Sequence, residues 1–383
     1  MLVLINAFVG GMVGMERSIF PDFAQEVFGL ASHSAILSFI IAFGISKAVM
    51  NYFTGRFANH FGRKKLLLAG WILVLPVPLI LVFAGSWIWV VFANVLLGLS
   101  QGLTWSSTVV MKIDLVGEKN RGFAMGLNEF AGYLAVGLTA LLSASLASRF
   151  GIRPIPFFVM EGIAVVGLSL SFFTNDTRKF VKQESKISTK EEEKQVFWNT
   201  SLFDKSLSSI TQAGLVNNLN DGMMWGLLPA FLMNRGFELK EIGLVASIYP
   251  IVWGIGQLFT GKLGDHLSHK ALLFWGMFLQ AIAVFGLFLA YSATSFTLIS
   301  VVLGLGTAMV YPTFMTAIAA LSHPIQRAES LGVFRFWRDL GYAFGAIISG
   351  VIADWLGIEF AILGVAMITL VSSLILKFRM PSS

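Results

Sequence analysis

Long apolar segments separated by short polar breaks run along almost the whole chain. Several of them reach the length of about 20 residues that a helix needs to cross a bilayer, for example 66–84, 87–111, 122–147 and 272–291. Cutting the chain at its charged and Pro- or Gly-rich breaks predicts twelve such helices, at about 2–20, 34–54, 66–84, 87–111, 122–147, 155–173, 206–232, 241–260, 271–291, 295–321, 329–352 and 359–377. The pattern therefore predicts an all-α membrane protein with twelve transmembrane helices.

The polar breaks contain a repeat. One copy begins at Thr54 with TGRFANHFGRKK, and it returns at Thr260 as TGKLGDHLSHK, 206 positions later. The same offset relates further pairs of residues, namely Gly98 to Gly304, Arg121 to Arg327, Glu129 to Arg335 and Gly151 to Gly357. A repeat of about half the chain predicts two pseudo-symmetric six-helix halves, 1–174 and 206–383, joined by a linker at 175–205. Many membrane transporters are built in this way.

The composition excludes an ordinary water-soluble domain. Of the 383 residues 56% are hydrophobic and 13% are charged, whereas soluble domains usually carry about 25% charged residues. The chain has no cysteine, so disulfides and thiolate chemistry are excluded, and its five histidines are too few for a metal cluster. No G-x-x-x-x-G-K-[ST] nucleotide-binding sequence is present. We therefore expect no enzyme activity, no metal and no cofactor.

The net charge of +6 is distributed unevenly between the two predicted faces. Most lysines and arginines fall on the face of the linker, and the opposite face has only Arg149, Arg153, Arg235 and Lys240. The positive-inside rule then predicts that the linker and both termini are cytoplasmic, in a prokaryotic inner (plasma) membrane. The excess of lysine and arginine over acidic residues therefore reflects membrane topology and not nucleic-acid binding. The linker itself is predicted to be a solvated connector, with 196–203 as an amphipathic piece on the membrane surface.

The repeated breaks resemble the signature of the major facilitator superfamily, G-x-x-x-D-R-x-G-R-[RK] after the second helix with a weaker copy after the eighth. In the first copy Gly55, Gly62, Arg63 and Lys64 fit, but Asn59 replaces the acid. In the second copy Asp265 keeps the acid. The resemblance covers all twelve helices. It implies a secondary transporter that works by alternating access.

The resemblance also implies a cytoplasmic gate, in which the acid of the motif meets a helix N-terminus and nearby basic side chains. We expect this gate to include Gly55, Asn59, Gly62, Arg63, Lys64, Arg121 and Asp265. Because Asn59 is neutral, Asp265 is expected to carry more of the closure, together with Arg121 or Lys112. The alternative is that the basic residues of the break only anchor helix ends to anionic lipid headgroups.

Ionisable side chains inside the predicted helices are the candidates for proton coupling or substrate binding, because a charge in hydrocarbon costs about 2.5–3.5 kcal/mol and needs a partner or a cavity. They are Asp221, Glu129, Glu16, Arg17, Arg335, Arg338 and Asp339. The fourth helix has GLSQG at 98–102 and lacks the arginine of the R-x-x-Q-G motif that many proton-coupled members carry. A proton path therefore has to use other acids. Asp221 lies near the middle of its helix, where it serves either proton exchange or a structural hydrogen bond.

Glu129 and Arg335 are repeat-related, so the pseudo-twofold axis is expected to place them across a central cavity, where they can bridge. Alternatively Arg335 neutralises Asp339, four residues further on, and Arg338 faces another side. Lys47 either pairs with an acid or extends toward the inner membrane interface, and we expect the second. Neutral polar and aromatic side chains are expected to line the cavity, namely Asn6, Gln101, Trp105, Asn128, Tyr133, Asn217, Trp225 and Tyr311.

These features favour a proton-coupled exporter of a small amphipathic organic compound. Two alternatives stay open. One is an organic-anion uniporter or exchanger that binds its substrate through Arg17, Arg335 and Arg338. The other is a receptor or scaffold that does not transport and signals through 175–205. One chain supplies both halves of the pathway, so we expect a monomer in the lipid bilayer, with a small-molecule substrate and protons as its partners.

Overall fold

The computed structural model describes residues 1–17, 19–20, 23–30, 33–116, 120–187, 192–237 and 239–381. These residues form twelve long helices: α1 (Leu2–Arg17), α2 (His33–Phe61), α3 (Arg63–Phe83), α4 (Trp87–Leu115), α5 (Arg121–Phe150), α6 (Ile155–Phe172), α7 (Lys205–Asn234), α8 (Leu239–Leu263), α9 (His269–Leu289), α10 (Ala293–Leu321), α11 (Arg327–Leu356) and α12 (Ile358–Arg379). Eight of them are long and apolar enough to cross a membrane. The predicted all-α architecture of twelve helices is confirmed.

The helix ends differ from the prediction at the repeated break. α2 continues seven residues beyond the predicted end at Thr54 and stops at Phe61. The polar stretch marks where the apolar segment ends and not where the helix ends, because its residues still form backbone hydrogen bonds as a helix. Gly62 then turns the chain into α3 with φ +91°, a left-handed conformation that favours glycine. Pro76 divides α3 into two pieces, Arg63–Val74 and Pro76–Phe83.

The two halves pack through two repeat-related helix pairs, α2 with α11 and α5 with α8. Glycines let the backbones approach in both pairs. A Cβ on Gly55 would lie 2.3 Å from the carbonyl oxygen of Ala328, and one on Gly126 would lie 2.3 Å from that of Gln257. Both pairs lie toward the end of the bundle where the linker runs, which we call the linker face.

The linker contains a helix, Arg178–Ile187, which we call the linker helix, followed by a short helix Val196–Trp198 and a π-helical turn Asn199–Phe203. The ring of Phe197 lies 5.4 Å from that of Tyr52 in α2 and 6.3 Å from that of Phe336 in α11. The linker is therefore not a fully solvated connector, because its second part packs against both halves. The amphipathic placement of 196–203 on a membrane surface stays a prediction.

Candidate functional site

A network of buried polar side chains surrounds Asp339, near the middle of α11. Its carboxylate accepts hydrogen bonds from Arg338 Nε at 2.8 Å, from Asn51 Nδ2 at 2.6 Å and from Asn218 Nδ2 at 3.2 Å. Lys47 Nζ lies 3.7 Å from the same carboxylate. These partners come from α2, α7 and α11, so Asp339 ties the two halves together. The carboxylate binds Arg338, and the alternative pairing of Asp339 with Arg335 is not seen among the described hydrogen bonds.

Arg335 is a buried guanidinium without a partner. Only 1% of the residue is exposed, and none of its three guanidinium nitrogens makes a hydrogen bond with a described residue. The charges of Arg338, Asp339 and Glu129 act on it, so it lies in the same central region as the network around Asp339. Taking an ion out of water costs several kcal/mol unless other groups replace the water. An unpaired guanidinium here is therefore held at a cost to stability.

Glu129, on α5 in the other half, is only half satisfied. Its Oε1 accepts from Asn128 Nδ2 at 2.6 Å and from Trp105 Nε1 at 3.1 Å. Its Oε2 is buried and has no hydrogen-bond partner in the part of the chain that the structure describes. The bridge between Glu129 and Arg335 that the repeat predicted is therefore not formed in this conformation, because Glu129 turns to partners within its own half. Each side chain keeps unused hydrogen-bonding capacity.

Six aromatic residues form a continuous group between the halves, which we call the aromatic cluster: Trp105, Tyr133, Trp225, Tyr249, Trp253 and Tyr311. The ring of Tyr133 lies 3.9 Å from that of Trp253 and 5.3 Å from that of Trp105, and its hydroxyl is 2.8 Å from the hydroxyl of Tyr311. Trp253 stacks on Tyr249, whose ring is 6.5 Å from Trp225. The cluster supplies a flat apolar surface with polar edges.

The aromatic cluster connects the two candidate acids. Trp105 donates to Glu129 at one end, and at the other end the hydroxyl of Tyr249 donates to Oδ1 of Asp221. Asp221 is fully buried in α7. Two basic groups also contact the cluster: Arg338 Cζ lies 5.2 Å from the ring of Tyr311, and Lys47 Nζ lies 5.4 Å from that of Trp105. The arrangement offers an aromatic platform with ionisable groups at its edges.

The gate residues lie at the linker face. Asp265 accepts from the backbone N–H of Gly122 at 2.7 Å and of Phe123 at 3.0 Å, at the N-terminus of α5. Its repeat counterpart Asn59 donates its side-chain amide to the carbonyl oxygen of Ile325, just before α11, at 2.5 Å. Both contacts join the two halves. The carboxylate at a helix N-terminus is the stronger of the two, because the aligned peptide dipoles favour negative charge there.

The basic residues of the gate bind partners other than those expected. Arg63 pairs with Asp114 at 3.0 Å inside its own half, and Lys64 Nζ donates to the carbonyl oxygen of Phe172 at 2.8 Å. Arg121 and Lys112 were expected near Asp265. Arg121 pairs instead with a carboxylate of the linker helix, and Lys112 donates to the side chain of Asn128. Asp265 therefore relies on backbone N–H groups.

The carboxylate in the linker helix is Glu184, and it binds two arginines at once. Arg121 Nη2 lies 2.7 Å from it, and Arg327 donates through Nη2 at 2.7 Å and through Nη1 at 3.0 Å. Arg121 and Arg327 are repeat-related, each at the first residue of its helix. Burial raises the pKa of Glu184, but the hydrogen bonds and charges of Arg327 and Arg121 outweigh it and lower the pKa to about 2. The linker thus holds the two halves together.

A family profile described as Major Facilitator Superfamily matches this chain twice, over residues 2–213 and 210–383. The chain belongs to the major facilitator superfamily. It is therefore a multi-pass membrane transporter and not an enzyme. The two matches meet near the start of α7.

Members of the superfamily from bacteria resemble it along most of its length. The proton-coupled antiporter flippase LtaA of Staphylococcus epidermidis is 25% identical over 355 residues, 89% of this chain and 84% of that protein. Multidrug resistance protein 2 of Bacillus subtilis is 25% identical over 372 residues, 92% of this chain and 88% of that protein. The human organic anion transporter MFSD10 (TETRAN) superposes with a TM-score of 0.78 at 15% identity, covering 98% of each chain. This last similarity shows the fold alone.

In this superfamily member several predicted cavity residues lie away from the interface between the halves. Asn6 donates to the carbonyl oxygen of Asn128, Gln101 to that of Val9, and Asn217 accepts from Gln280. Each bond stays within one half. Glu16 is buried among α1, α2 and α4. The side chain of Arg17 lies outside the described residues.

The sequence pointed to Lys47 but favoured the other of its two placements, and it missed three further residues of the central region: Asn51, Asn218 and Trp253. Lys47 was expected near the interface, but it reaches Asp339 in the interior. Its charge inside a long apolar segment was a usable signal. Trp253 lies one helical turn from Tyr249, so their spacing of four residues places both on one face of α8. The two asparagines carried no such signal.

Replacing Asp265 with asparagine is expected to loosen the linker face. The change removes the charge at the N-terminus of α5 and one of two accepted bonds, a loss of about 1 kcal/mol, which corresponds to a roughly fivefold rise in the open population. The chain has no cysteine, so Ser330→Cys, at a buried position of α11 near the gate, provides a single labelling site. We expect faster alkylation in Asp265→Asn. The matched change Asn59→Asp removes the amide that donates to Ile325 and should also speed alkylation. Equal rates in all three proteins would contradict the gate.

Replacing Glu184 with glutamine is expected to lower the thermal transition temperature at neutral pH. Because the pKa of Glu184 is about 2 in the folded protein and about 4.3 in an unfolded chain, its contribution is complete above about pH 4.3 and disappears as the pH falls toward 2. The difference between wild type and Glu184→Gln should therefore shrink over that interval. Glu192→Gln, at an exposed position of the same linker, is the control and should have no effect. A difference that persists unchanged to pH 2 would contradict the ion pairs.

Proposed function

We propose that this transporter exchanges protons for a small amphipathic organic compound, which it exports, and that Glu129 carries the proton. The observation that supports this role is the half-satisfied carboxylate of Glu129, which is fully buried in the first third of α5. A buried carboxylate with an unused oxygen accepts a proton without losing its existing hydrogen bonds. Asp221, hydrogen-bonded to Tyr249 in the other half, is the second proton-carrying acid.

We assign the aromatic cluster to the apolar part of the compound. Aromatic walls with a few polar groups are typical of sites for amphipathic ligands. The relatives support export and proton coupling, since they include a proton-coupled antiporter flippase and a multidrug resistance protein. At about 25% identity they leave the compound itself open.

We also assign the linker face to the cytoplasm, because the basic residues outside the helices concentrate there. The contacts between the halves described above lie at the middle of the helices or on the linker side of it. The described conformation is then closed toward the cytoplasm. Export requires a second conformation, in which the Gly55 and Gly126 contacts open and the compound enters from inside.

The test is proton movement in liposomes that contain the purified protein and an internal pH-sensitive dye. An outward-directed gradient of each compound from a panel of cationic, anionic, zwitterionic and neutral amphiphiles is applied. We expect at least one compound to drive protons in the opposite direction, above the rate in protein-free liposomes. Compounds that cross the membrane through the protein without any proton movement would refute the coupling.

A further inference from the structure

Two groups at the centre of the molecule that have unused hydrogen-bonding atoms carry opposite charges. Arg335 has three buried nitrogens without hydrogen-bond partners, and Glu129 has one such oxygen. Both residues are at most 1% exposed. Buried polar groups in native proteins are nearly always paired, so an orphaned pair of this kind needs an explanation. A ligand that supplies one anionic and one cationic group satisfies both.

We propose that the exported compound is a zwitterionic amphiphile, whose anionic group binds the guanidinium of Arg335 and whose ammonium group binds Oε2 of Glu129. This inference rests on the proposed function of Glu129. Guanidinium binds a carboxylate or phosphate with two parallel hydrogen bonds, which suits an arginine whose donors are all unused. The ammonium donates to the one carboxylate oxygen that Trp105 and Asn128 leave unoccupied.

The neighbouring charged groups do not compete for these two sites. Arg338 is held by Asp339, Lys47 lies beside the same carboxylate, and Lys112 donates to Asn128. Asp221 is engaged by Tyr249 at the far end of the aromatic cluster. Among the described central groups, Arg335 is thus the arginine whose three guanidinium nitrogens all lack a hydrogen bond, and Glu129 keeps one carboxylate oxygen without one.

Two consequences follow from this pairing. The proton and the ammonium group of the compound both bind the carboxylate of Glu129, so they exclude each other. This competition is the condition for moving protons and the compound in opposite directions. Glu129 belongs to α5 and Arg335 to α11, so a ligand that binds both residues spans the two halves and draws them together. An amphiphile with only a cationic group competes with the proton but does not span the halves, and one with only an anionic group does neither.

Three probes that differ by one charged group test the inference: 2-naphthylalanine, which is zwitterionic, 3-(2-naphthyl)propionate, which lacks the ammonium, and 2-(2-naphthyl)ethylamine, which lacks the carboxylate. Their dissociation constants are measured by calorimetry with the protein in nanodiscs of neutral lipid. Loss of one charge-assisted contact is worth about tenfold in affinity or more. We therefore expect 2-naphthylalanine to bind at least about tenfold more tightly than either other probe.

Variants assign each charge to its residue. Arg335→Gln should weaken the binding of 2-naphthylalanine and of the propionate by about tenfold and leave the binding of the amine unchanged. Glu129→Gln should weaken the binding of 2-naphthylalanine and of the amine and leave the binding of the propionate unchanged. Absence of binding by 2-naphthylalanine, or equal affinities for the three probes, would overturn the inference. If the affinities follow the expected order but no compound moves protons, the proposed coupling fails and the binding site stands. If other compounds move protons and 2-naphthylalanine does not bind, only the inference fails.

Discussion

Glu129→Gln is expected to reduce compound-driven proton movement to the rate of protein-free liposomes. Glutamine has the shape of the acid and keeps an oxygen for Trp105 and Asn128, but it cannot take up a proton. The coupled step is therefore lost without loss of the fold. Movement of labelled compound down its own gradient should persist in the variant at saturating concentration, because the aromatic cluster and Arg335 are unchanged.

Asp221→Asn is the matched comparison in the other half. Its carboxylate accepts from Tyr249, so the amide keeps that hydrogen bond and removes only the titratable proton. If proton movement survives Glu129→Gln and is lost in Asp221→Asn, the proton is carried in the second half and the role given to Glu129 is wrong. If both variants abolish it, the proton uses both acids in sequence.

The two neighbouring arginines of α11 are expected to have opposite effects on stability. Arg338→Gln removes two hydrogen bonds from Asp339 and leaves a fully buried carboxylate without its nearest cation, at a cost of about 3–5 kcal/mol. Arg335→Gln removes a guanidinium that has no hydrogen-bond partner, which should raise stability by about 1–3 kcal/mol. Both residues are buried to the same degree, so burial alone does not explain the difference.

Thermal unfolding of the purified protein in detergent measures both effects. We expect the transition temperature to fall in Arg338→Gln and to rise in Arg335→Gln. A decrease in both variants would mean that Arg335 has a structural partner. It would also remove the argument for a ligand at that position, since the cost of the unpaired charge is what a ligand offsets.

Much of the fold could be predicted from hydropathy, because a hydrocarbon core of fixed thickness demands segments of fixed length. The repeat offset also predicted that Glu129 and Arg335 belong to equivalent positions. The helix ends at the linker face could not be predicted, because α2 continues as a helix through residues as polar as those of a loop. The partner of Asp339 was open for a similar reason. Arg338 lies one position before Asp339 and Arg335 lies four positions before it, and both arginine side chains are long enough to reach its carboxylate. Only the direction of that carboxylate decides between them.

Glu184 could not be predicted at all. The signal used for the other ionisable residues was their cost inside hydrocarbon, and Glu184 lies in a polar segment where a carboxylate costs nothing. The repeat offset does not help either, because the linker has no second copy. Its role depends on where the linker helix lies in three dimensions.

The shared carboxylate also bears on the origin of the chain. Arg121 and Arg327 occupy equivalent positions of the two repeats, and Glu184 binds both of them. A dimer of two identical six-helix proteins would carry two such acids or none, because its symmetry repeats every residue. One acid shared by both arginines is available only to a fused gene. The gene fusion thus supplied a bond between the halves that neither duplicated unit contained.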